Sequence, residues 1–326
     1  MGLNITASNI FVTSSIIYIG RNTGCRNGGG GMKIGLIGAG KVGFSLGKLF
    51  VENGLPVAGY FSRTPGSAAE AAKFTGTHHF DTMQSLIEAC DVLFLTVPDG
   101  SIGSVWAKIR EFHLAGKLIC HCSGSISSTV FCGIDECGAF GFSVHPLLAV
   151  SDRYGSYRKL PDALFTIEGS KARLSDVCAL LSVCGCRFQV IEAKNKVRYH
   201  AAAVMASNLV VALTDCAIGL LSKCGFSDDD ARAALSPLMR GNLDAVLEKG
   251  PVAALTGPIE RGDIETVKKH LDALGEVPGI REVYRILSLR AAEVARSAHP
   301  QRDDTALLDL LKHCPEEGNE EKGFLQ

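Results

Sequence analysis

The stretch that decides the fold of this chain is Lys33-Ile34-Gly35-Leu36-Ile37-Gly38-Ala39-Gly40-Lys41-Val42-Gly43. A short apolar run predicts a β-strand, and three glycines with the spacing Gly-x-Gly-x-x-Gly lead straight into a helical pattern. In a dinucleotide-binding turn, Gly38 permits the tight turn, Gly40 admits a pyrophosphate, and Gly43 lets the helix pack closely. The alternative is a plain glycine-rich turn. The order of strand, triplet and helix, with a second strand near 56–61, favours the nucleotide site.

Free N–H groups and a partial positive charge at the start of this helix favour phosphate. We therefore expect cofactor contacts from Gly38, Ala39, Gly40, Lys41, Val42 and Gly43.

Bulk composition sets limits on the class of protein. The chain has 326 residues, 46% of them hydrophobic, and a net charge of -1, which predicts two domains and gives no reason to expect nucleic acid or a membrane as partner. The longest apolar stretch, 201–213, is shorter than the ~18 residues that span a bilayer, so we expect a buried helix there. No Cys-x-x-Cys pair occurs among the 12 cysteines, so we expect no metal and reduced thiols in a cytoplasmic protein.

Strand and helix patterns alternate up to residue 192, and helices alone follow. The predicted strands are 33–37, 57–61, 77–80, 92–97, 118–121 and 141–144, with 163–167 and 187–191 as extensions of the sheet. The predicted helices are 42–53, 66–74, 83–89, 101–112, 127–136 and 171–183, then 194–223, 228–248, 263–274, 278–298 and 303–313. This order predicts an α/β fold, in which a Rossmann-type doubly wound parallel sheet (32–192) precedes a separate all-α domain (193–314).

Both ends of the chain are expected to be disordered. Residues 1–31 contain no acidic residue and many Ser, Thr and Asn, so they are either an extension before a true start at Met32 or a transit segment to an organelle. Residues 315–326 form an acidic tail.

Ligands of an open parallel sheet bind beyond the carboxyl ends of the strands. After the second strand stand Ser62, Arg63 and Thr64, with no acidic residue to hold a ribose 2′-hydroxyl. An arginine pairs well with a 2′-phosphate, so we expect NADP(H) rather than NAD(H), the alternative being a solvated arginine in a turn.

The next strand ends carry further candidates. Val97 and Pro98 are expected to contact the cofactor, and Asp99 either caps the following helix or contacts the cofactor as well. After the fifth and sixth strands come Ser123 with Gly124, and His145. These residues would admit a nicotinamide ring and orient or protonate a substrate, and His121 is a weaker candidate. The alternative for each histidine is a hydrogen-bonded structural role.

The predicted helix 194–223 carries a polar stripe. At ~100° per residue, Lys196, His200 and Ser207 lie within about 40° of one another, with Asn208 beside them. Such a stripe either forms hydrogen bonds between helices or faces the nicotinamide with a proton donor and a carbonyl-binding group.

Between two later helices, Asp263 is expected to be an N-cap. Thr256 and Arg261 are expected to bind substrate, although Arg261 would equally pin the loop.

Together these motifs resemble the Rossmann-like proteins that carry a C-terminal DUF2520 domain. The matching motifs are Gly38-x-Gly40-x-x-Gly43, Val97-Pro98-Asp99, His121-x-Ser123-Gly124, Ser143-x-His145-Pro146-Leu147, Tyr199-His200-Ala201-Ala202 with Ser207-Asn208, and Thr256-Gly257-Pro258-x-x-Arg261-Gly262-Asp263. The group is similar in plan to pyrroline-5-carboxylate reductase, ketopantoate reductase and the β-hydroxyacid dehydrogenases. The resemblance implies reduction of C=O or C=N bonds with NADPH, and a helical domain that often dimerises. The β-hydroxyacid dehydrogenases have Lys-x-x-x-Asn where this chain has Lys196-x-x-x-His200, which speaks against their mechanism here.

We therefore expect an NADP(H)-dependent oxidoreductase of a small, anionic carbonyl or imine substrate, working as a homodimer. His200 is the leading proton donor, Asn208 and Ser123 orient the reacting group, and His145 and Lys196 are further catalytic candidates. The alternatives are an NADP-binding regulatory protein without turnover, and an enzyme that pairs NADP with a deazaflavin.

Overall fold

The computed structural model describes residues 31–312, so the predicted disorder of residues 1–30 and 315–326 lies outside the described residues. Contacts divide the chain after Ser207 into two compact units. We call them the sheet unit (31–207) and the helical unit (208–312). The sequence predicts this boundary at 192, whereas the structure groups Lys196 and His200 with the sheet unit.

The sheet unit contains an eight-stranded sheet. Its strands are β1 (Ile34–Ile37), β2 (Val57–Phe61), β3 (His78–His79), β4 (Val92–Leu95), β5 (Leu118–His121), β6 (Phe140–Pro146), β7 (Leu164–Gly169) and β8 (Arg187–Val190). They are arranged in the order β3-β2-β1-β4-β5-β6-β7-β8. The chain winds outward from β1 in both directions, so the switch point lies between β1 and β4. The two predicted extensions of the sheet are confirmed as β7 and β8. Because β7 pairs antiparallel with β6, the sheet is mixed, with all its other strand pairs parallel.

The central strands are apolar because both faces of the sheet are covered. In β1, Ile34 and Leu36 pack into one core and Ile37 packs into the core on the opposite face. This alternation follows from the two-residue period of a strand.

Helices of the sheet unit are α1 (Lys41–Glu52), α2 (Pro65–Thr75), α3 (Met83–Glu88), α4 (Asp99–Ile109), α5 (Leu174–Val183) and α6 (Lys196–Ala206). The helix predicted over 127–136 is wrong. That segment has one short 3-10 turn, Ser128–Val130, followed by turns that reach the positive-φ residues Gly133 and Gly138. Left-handed glycines interrupt a helix, which explains the difference.

The helical unit consists of α7 (Asn208–Lys223), α8 (Asp228–Ala254), α9 (Pro258–Arg261), α10 (Ile264–Ala273), α11 (Pro278–Ala298) and α12 (Thr305–Lys312). Its core is formed mainly by α10, α11 and α12, around Val267, Leu271 and Leu311. Within α8 the backbone leaves the helical region at Gly250, with φ of 78°, where the sequence predicted an interruption.

The single helix predicted over 194–223 is wrong. Ser207, with φ of -128° and ψ of -78°, separates α6 from α7. The predicted burial of 201–213 is also wrong, because most of these residues are exposed and α7 has no buried residue. Among the described residues, Ala193–Lys223 is the one segment whose length and hydropathy would suffice to cross a membrane.

Candidate functional site

The turn between β1 and α1 has glycine wherever a side chain would collide. Gly38 has φ of 109°, and a Cβ there would lie 2.7 Å from the carbonyl oxygen of Thr96. A Cβ on Gly43 would lie 2.5 Å from the carbonyl oxygen of Gly38. The Thr96 hydroxyl donates to that same carbonyl oxygen at 2.8 Å, which ties the turn to the end of β4.

The start of α1 is open. Gly40 is its N-cap, no side chain accepts a hydrogen bond from the first turn, and that turn has no acidic residue. A Cβ on Gly40 would meet nothing within 4 Å, so space is available where a phosphate would approach. The first-turn N–H groups of a helix have no acceptor within the helix, and they favour an anion. Lys41 and Val42 supply the first of these N–H groups, and Ala39 is buried beneath the turn.

The residues after β2 suit a second phosphate. Arg63 is exposed and makes no hydrogen bond or ion pair with any other described residue. Ser62 is half-buried, and its hydroxyl accepts a long hydrogen bond of 3.4 Å from the Thr64 N–H. Two hydroxyls and a free guanidinium therefore stand together at the end of β2, and no carboxylate lies among them.

At the end of β4, the structure does not show the capping role considered for Asp99. Pro98, not Asp99, is the N-cap of α4, and no side chain caps that helix. The Asp99 carboxylate instead accepts hydrogen bonds from the hydroxyls of Ser123 and Ser125, at 2.7 and 3.1 Å. It links the start of α4 to the loop after β5, and Val97 packs against Gly38.

The Ser123 hydroxyl is fully engaged. It donates to Asp99 and accepts the N–H groups of Ser125 and Ile126, at 3.2 and 3.0 Å. This side chain is buried and organises the loop after β5. A role in orienting substrate would require these bonds to rearrange.

Two imidazoles meet at Gly124. A Cβ on this buried residue would lie 2.7 Å from Nδ1 of His200 and 2.9 Å from Nε2 of His145. The opposite ring nitrogen of His145, Nδ1, is 2.7 Å from the Tyr199 hydroxyl. His200 Nδ1 is buried and has no hydrogen-bond partner in the described part of the chain. Glycine is needed at 124 because only its bare backbone leaves room for both rings.

Lys196 is buried in the same place. Lys196 is the first residue of α6, one turn before His200. Its ammonium nitrogen lies over the Tyr199 ring, 5.5 Å from the ring centroid. Burial lowers the pKa of Lys196 to about 8, although Glu168, Cys122 and Asp99 act in the opposite direction.

The same environment keeps nearby groups neutral. Burial, reinforced by the charge of Lys196, lowers the pKa of His145 to about 4. Burial also lowers the pKa of His121 to about 4 and raises the pKa of the Cys122 thiol to about 12. Both histidines are thus uncharged at neutral pH, and the thiol is protonated.

The remaining predicted residues lie in the helical unit. Asn208 begins α7, on the far side of the break at Ser207, so the predicted continuous stripe does not extend to it. Thr256 and Arg261 are exposed, and Arg261 makes no hydrogen bond or ion pair with a described residue. Asp263 caps α10 by accepting the Thr266 N–H at 3.0 Å, as predicted.

Three contributors were missed as site residues. Tyr199 was noticed only as part of a motif, Asp99 was considered equally as a helix cap and as a cofactor contact, and Glu168 was not considered. Glu168 is buried and accepts the N–H and hydroxyl of Ser128 at 2.6 and 2.8 Å. An acidic residue within the apolar run of β7 was the signal available for Glu168.

Two family models match separate parts of the chain. A family model described as "NADP oxidoreductase coenzyme F420-dependent" matches residues 33–123, and the model of DUF2520, a domain of unknown function, matches residues 163–291.

Among solved structures, protein TM1727 of Thermotoga maritima is 26% identical with a TM-score of 0.67, and the alignment covers 82% of this chain and 99% of that one. BF3122 of Bacteroides fragilis, provisionally named an NADP oxidoreductase, is 25% identical with a TM-score of 0.63, covering 81% and 98%. A curated relative, YqeC of Bacillus subtilis, is provisionally named a 6-phosphogluconate dehydrogenase. It is 30% identical over 95 residues, which are 29% of this chain and 32% of the relative.

These comparisons confirm the predicted Rossmann-type fold, the DUF2520 domain and the class of NADP(H)-linked oxidoreductase. The open start of α1 and the acid-free turn around Arg63 fit that cofactor.

Proposed function

We propose that this protein uses NADPH to reduce a C=O or C=N bond of a small, anionic substrate. The pyrophosphate would bind at the start of α1, in the turn from Gly38 to Gly43, and the 2′-phosphate would bind Arg63 with Ser62 and Thr64. Val97, Pro98, Ser123 and Gly124 would line the path from the switch point to the nicotinamide. When bound, the cofactor supplies the hydride.

His200 is the proposed proton donor. The observation that carries this assignment is its imidazole beside Gly124, where Nδ1 is buried and has no partner among the described residues. A regulatory protein would need no such group, and general acid catalysis by a histidine contributes about 10²–10⁴-fold. His145 and Lys196 adjoin it. Asn208 stays in the proposal as a residue that orients the reacting group, and Thr256 and Arg261 stay in it as substrate-binding residues.

Cofactor preference is tested by titrating the protein with NADPH and NADH and following nicotinamide fluorescence. We expect NADPH to bind more tightly, and Arg63→Ala to remove the difference. An arginine hydrogen-bonded to a phosphate contributes roughly 1.5–3 kcal/mol, or about 10–100-fold in affinity. Arg158→Ala removes an equal charge elsewhere in the sheet unit and serves as the control. If neither nucleotide binds, the oxidoreductase assignment is wrong.

The proton donor is tested with His200→Ala in a screen of small keto and imino acids. Turnover should fall about 10²-fold or more, while NADPH affinity stays within about twofold. Equal losses of turnover and cofactor affinity would indicate a structural role for His200. Turnover only with a reduced deazaflavin would favour the F420-linked chemistry that the family description names.

We also propose that the helical unit mediates homodimerisation. Large apolar side chains are exposed on α7 and α8, among them Val211 at 70% and Leu247 at 76% exposure. A patch of this kind is typical of an interface, and most oligomers are symmetric dimers. Light scattering after gel filtration should give twice the mass of 34.6 kDa, and Leu247→Glu should shift it toward the monomer. A monomer at micromolar concentration would refute the proposal.

A cytoplasmic location is likewise a proposal. The described cysteines are all free thiols, which fits a reducing compartment.

A further inference from the structure

The buried ammonium group of Lys196 has no partner among the residues that the structure describes that offsets the cost of burying its charge. Its side chain is 1% exposed, and its ammonium nitrogen makes no hydrogen bond or ion pair with any described residue. The ammonium lies over the face of the Tyr199 ring, 5.5 Å from the ring centroid. Burying an ammonium group without an anion or hydrogen-bond acceptor is costly.

The nearby carboxylates do not pair with the Lys196 ammonium. Glu168 and Asp99 are the acidic groups whose charge acts on Lys196. Glu168 is held by the N–H and hydroxyl of Ser128, and Asp99 by the hydroxyls of Ser123 and Ser125. Both carboxylates are thus anchored to other donors, and neither forms an ion pair with the ammonium.

The position of Lys196 relates it to the proposed proton donor. Lys196 and His200 are four residues apart on α6, so their Cβ atoms lie about 5–6 Å apart on one side of the helix. A short molecule is therefore enough to reach both side chains.

We propose that Lys196 is an anion subsite, which binds a substrate carboxylate attached directly to the carbon that is reduced. The substrate class is then a 2-oxo acid or the corresponding 2-imino acid. Its carboxylate accepts from the Lys196 ammonium, and its carbonyl oxygen or imine nitrogen faces His200. This inference rests on the proposed function, because it names the substrate of the same site.

The ionisation of Lys196 supports the subsite. Its pKa of about 8 leaves the group charged at neutral pH, ready for an anion. A bound carboxylate would raise that pKa again, because an opposite charge favours the ammonium form. The groups that face Lys196 are Tyr199, Glu168, Cys122, Asp99, His121 and His145. The two histidines are neutral at neutral pH, and burial raises the pKa of the Tyr199 phenol.

The experiment uses oxamate, an unreactive anion shaped like a 2-oxo acid, and neutral oxamide as its matched control. Binding to the full chain with saturating NADP⁺ is measured by isothermal titration calorimetry at constant ionic strength. We expect oxamate to bind, oxamide to bind at least about tenfold more weakly, and Lys196→Met to weaken oxamate about 10–100-fold, as for a hydrogen bond to a charged group. Near pH 9, oxamate binding should take up close to one proton, revealed by repeating the titration in buffers of different ionisation enthalpy.

Lys194→Met is the matched variant, because it removes an equal charge two residues away, at an exposed lysine paired with Glu192. It should leave oxamate affinity unchanged. NADPH affinity is measured in parallel for every variant, so a protein that fails to bind NADPH refutes the proposed function, not the subsite. If NADPH binds but oxamate does not, or if oxamate binds Lys196→Met equally well, Lys196 is satisfied by water and the subsite is wrong.

Discussion

Replacing Lys196 with methionine should stabilise the protein at neutral pH. A fall of the lysine pKa from 10.5 to about 8 corresponds to about 3 kcal/mol of unfavourable free energy for the charged, folded form. Methionine has a similar length and no charge to bury. Losing the contact between the cation and the Tyr199 ring costs about 1 kcal/mol, so the expected net gain is about 2 kcal/mol.

The gain should depend on pH in a defined direction. Because the folded pKa is lower than the unfolded one, the unfolded chain binds more protons between pH 8 and pH 10.5. Stability of the wild type therefore rises across this window relative to the variant. The advantage of Lys196→Met is complete below pH 8, and it shrinks as Lys196 loses its proton.

Trp106 makes the measurement specific to the sheet unit. It is the one tryptophan of the chain, and it is buried in α4. Urea denaturation followed by its fluorescence is recorded at several pH values from 7 to 10 for the wild type and the variant. A variant that is no more stable at pH 7, or whose advantage does not change with pH, would show that the ammonium is already satisfied.

Three further predictions concern glycines. Gly43→Ala places a methyl group 2.5 Å from a backbone oxygen, so it should destabilise the sheet unit by about 1–3 kcal/mol in the same urea assay. Gly40→Ala meets nothing, so it should retain stability yet weaken NADPH binding about tenfold or more in the fluorescence titration. Gly124→Ala pushes against the imidazoles of His200 and His145, so turnover should fall while NADPH affinity stays within about twofold. Equal NADPH affinity in the wild type and Gly40→Ala, or unchanged turnover in Gly124→Ala, would contradict these assignments.

Local patterns predicted the parts of the fold that depend on local geometry. The glycine triplet was sufficient for the β1–α1 turn, because Gly38 has a positive φ, Gly43 lies against the Gly38 carbonyl, and Gly40 leaves open space for a phosphate. The antiparallel direction of β7 was not predictable, since an apolar run does not record the path of the 147–163 connection that precedes it. The break between α6 and α7 contains neither glycine nor proline, so no helix-breaking signal marks Ser207.

The candidate site depended more on long-range contacts. The sequence predicted His145 at the end of a strand and His200 near the start of a helix, but the bond from His145 to Tyr199 joins residues 54 positions apart. Asp99 at the start of α4 and Ser123 in the loop after β5 are likewise brought together from 24 positions apart. Alternatives such as capping against cofactor contact could not be decided without those distances.

The charge of Lys196 also connects substrate binding to the state of His145. Burial is the main reason for the low pKa of His145, and the positive charge of Lys196 is the next. A carboxylate bound at Lys196 offsets the second cause, so the pKa of His145 should rise from about 4 when oxamate binds. Nitrogen-15 NMR of histidine-labelled protein, titrated with and without oxamate, measures this change, and Lys196→Met should remove most of it. An unchanged or lower midpoint with oxamate bound would place the anion away from Lys196. The expected rise means that an anionic substrate would itself make the neighbouring imidazole a better proton carrier, which a neutral substrate would not do.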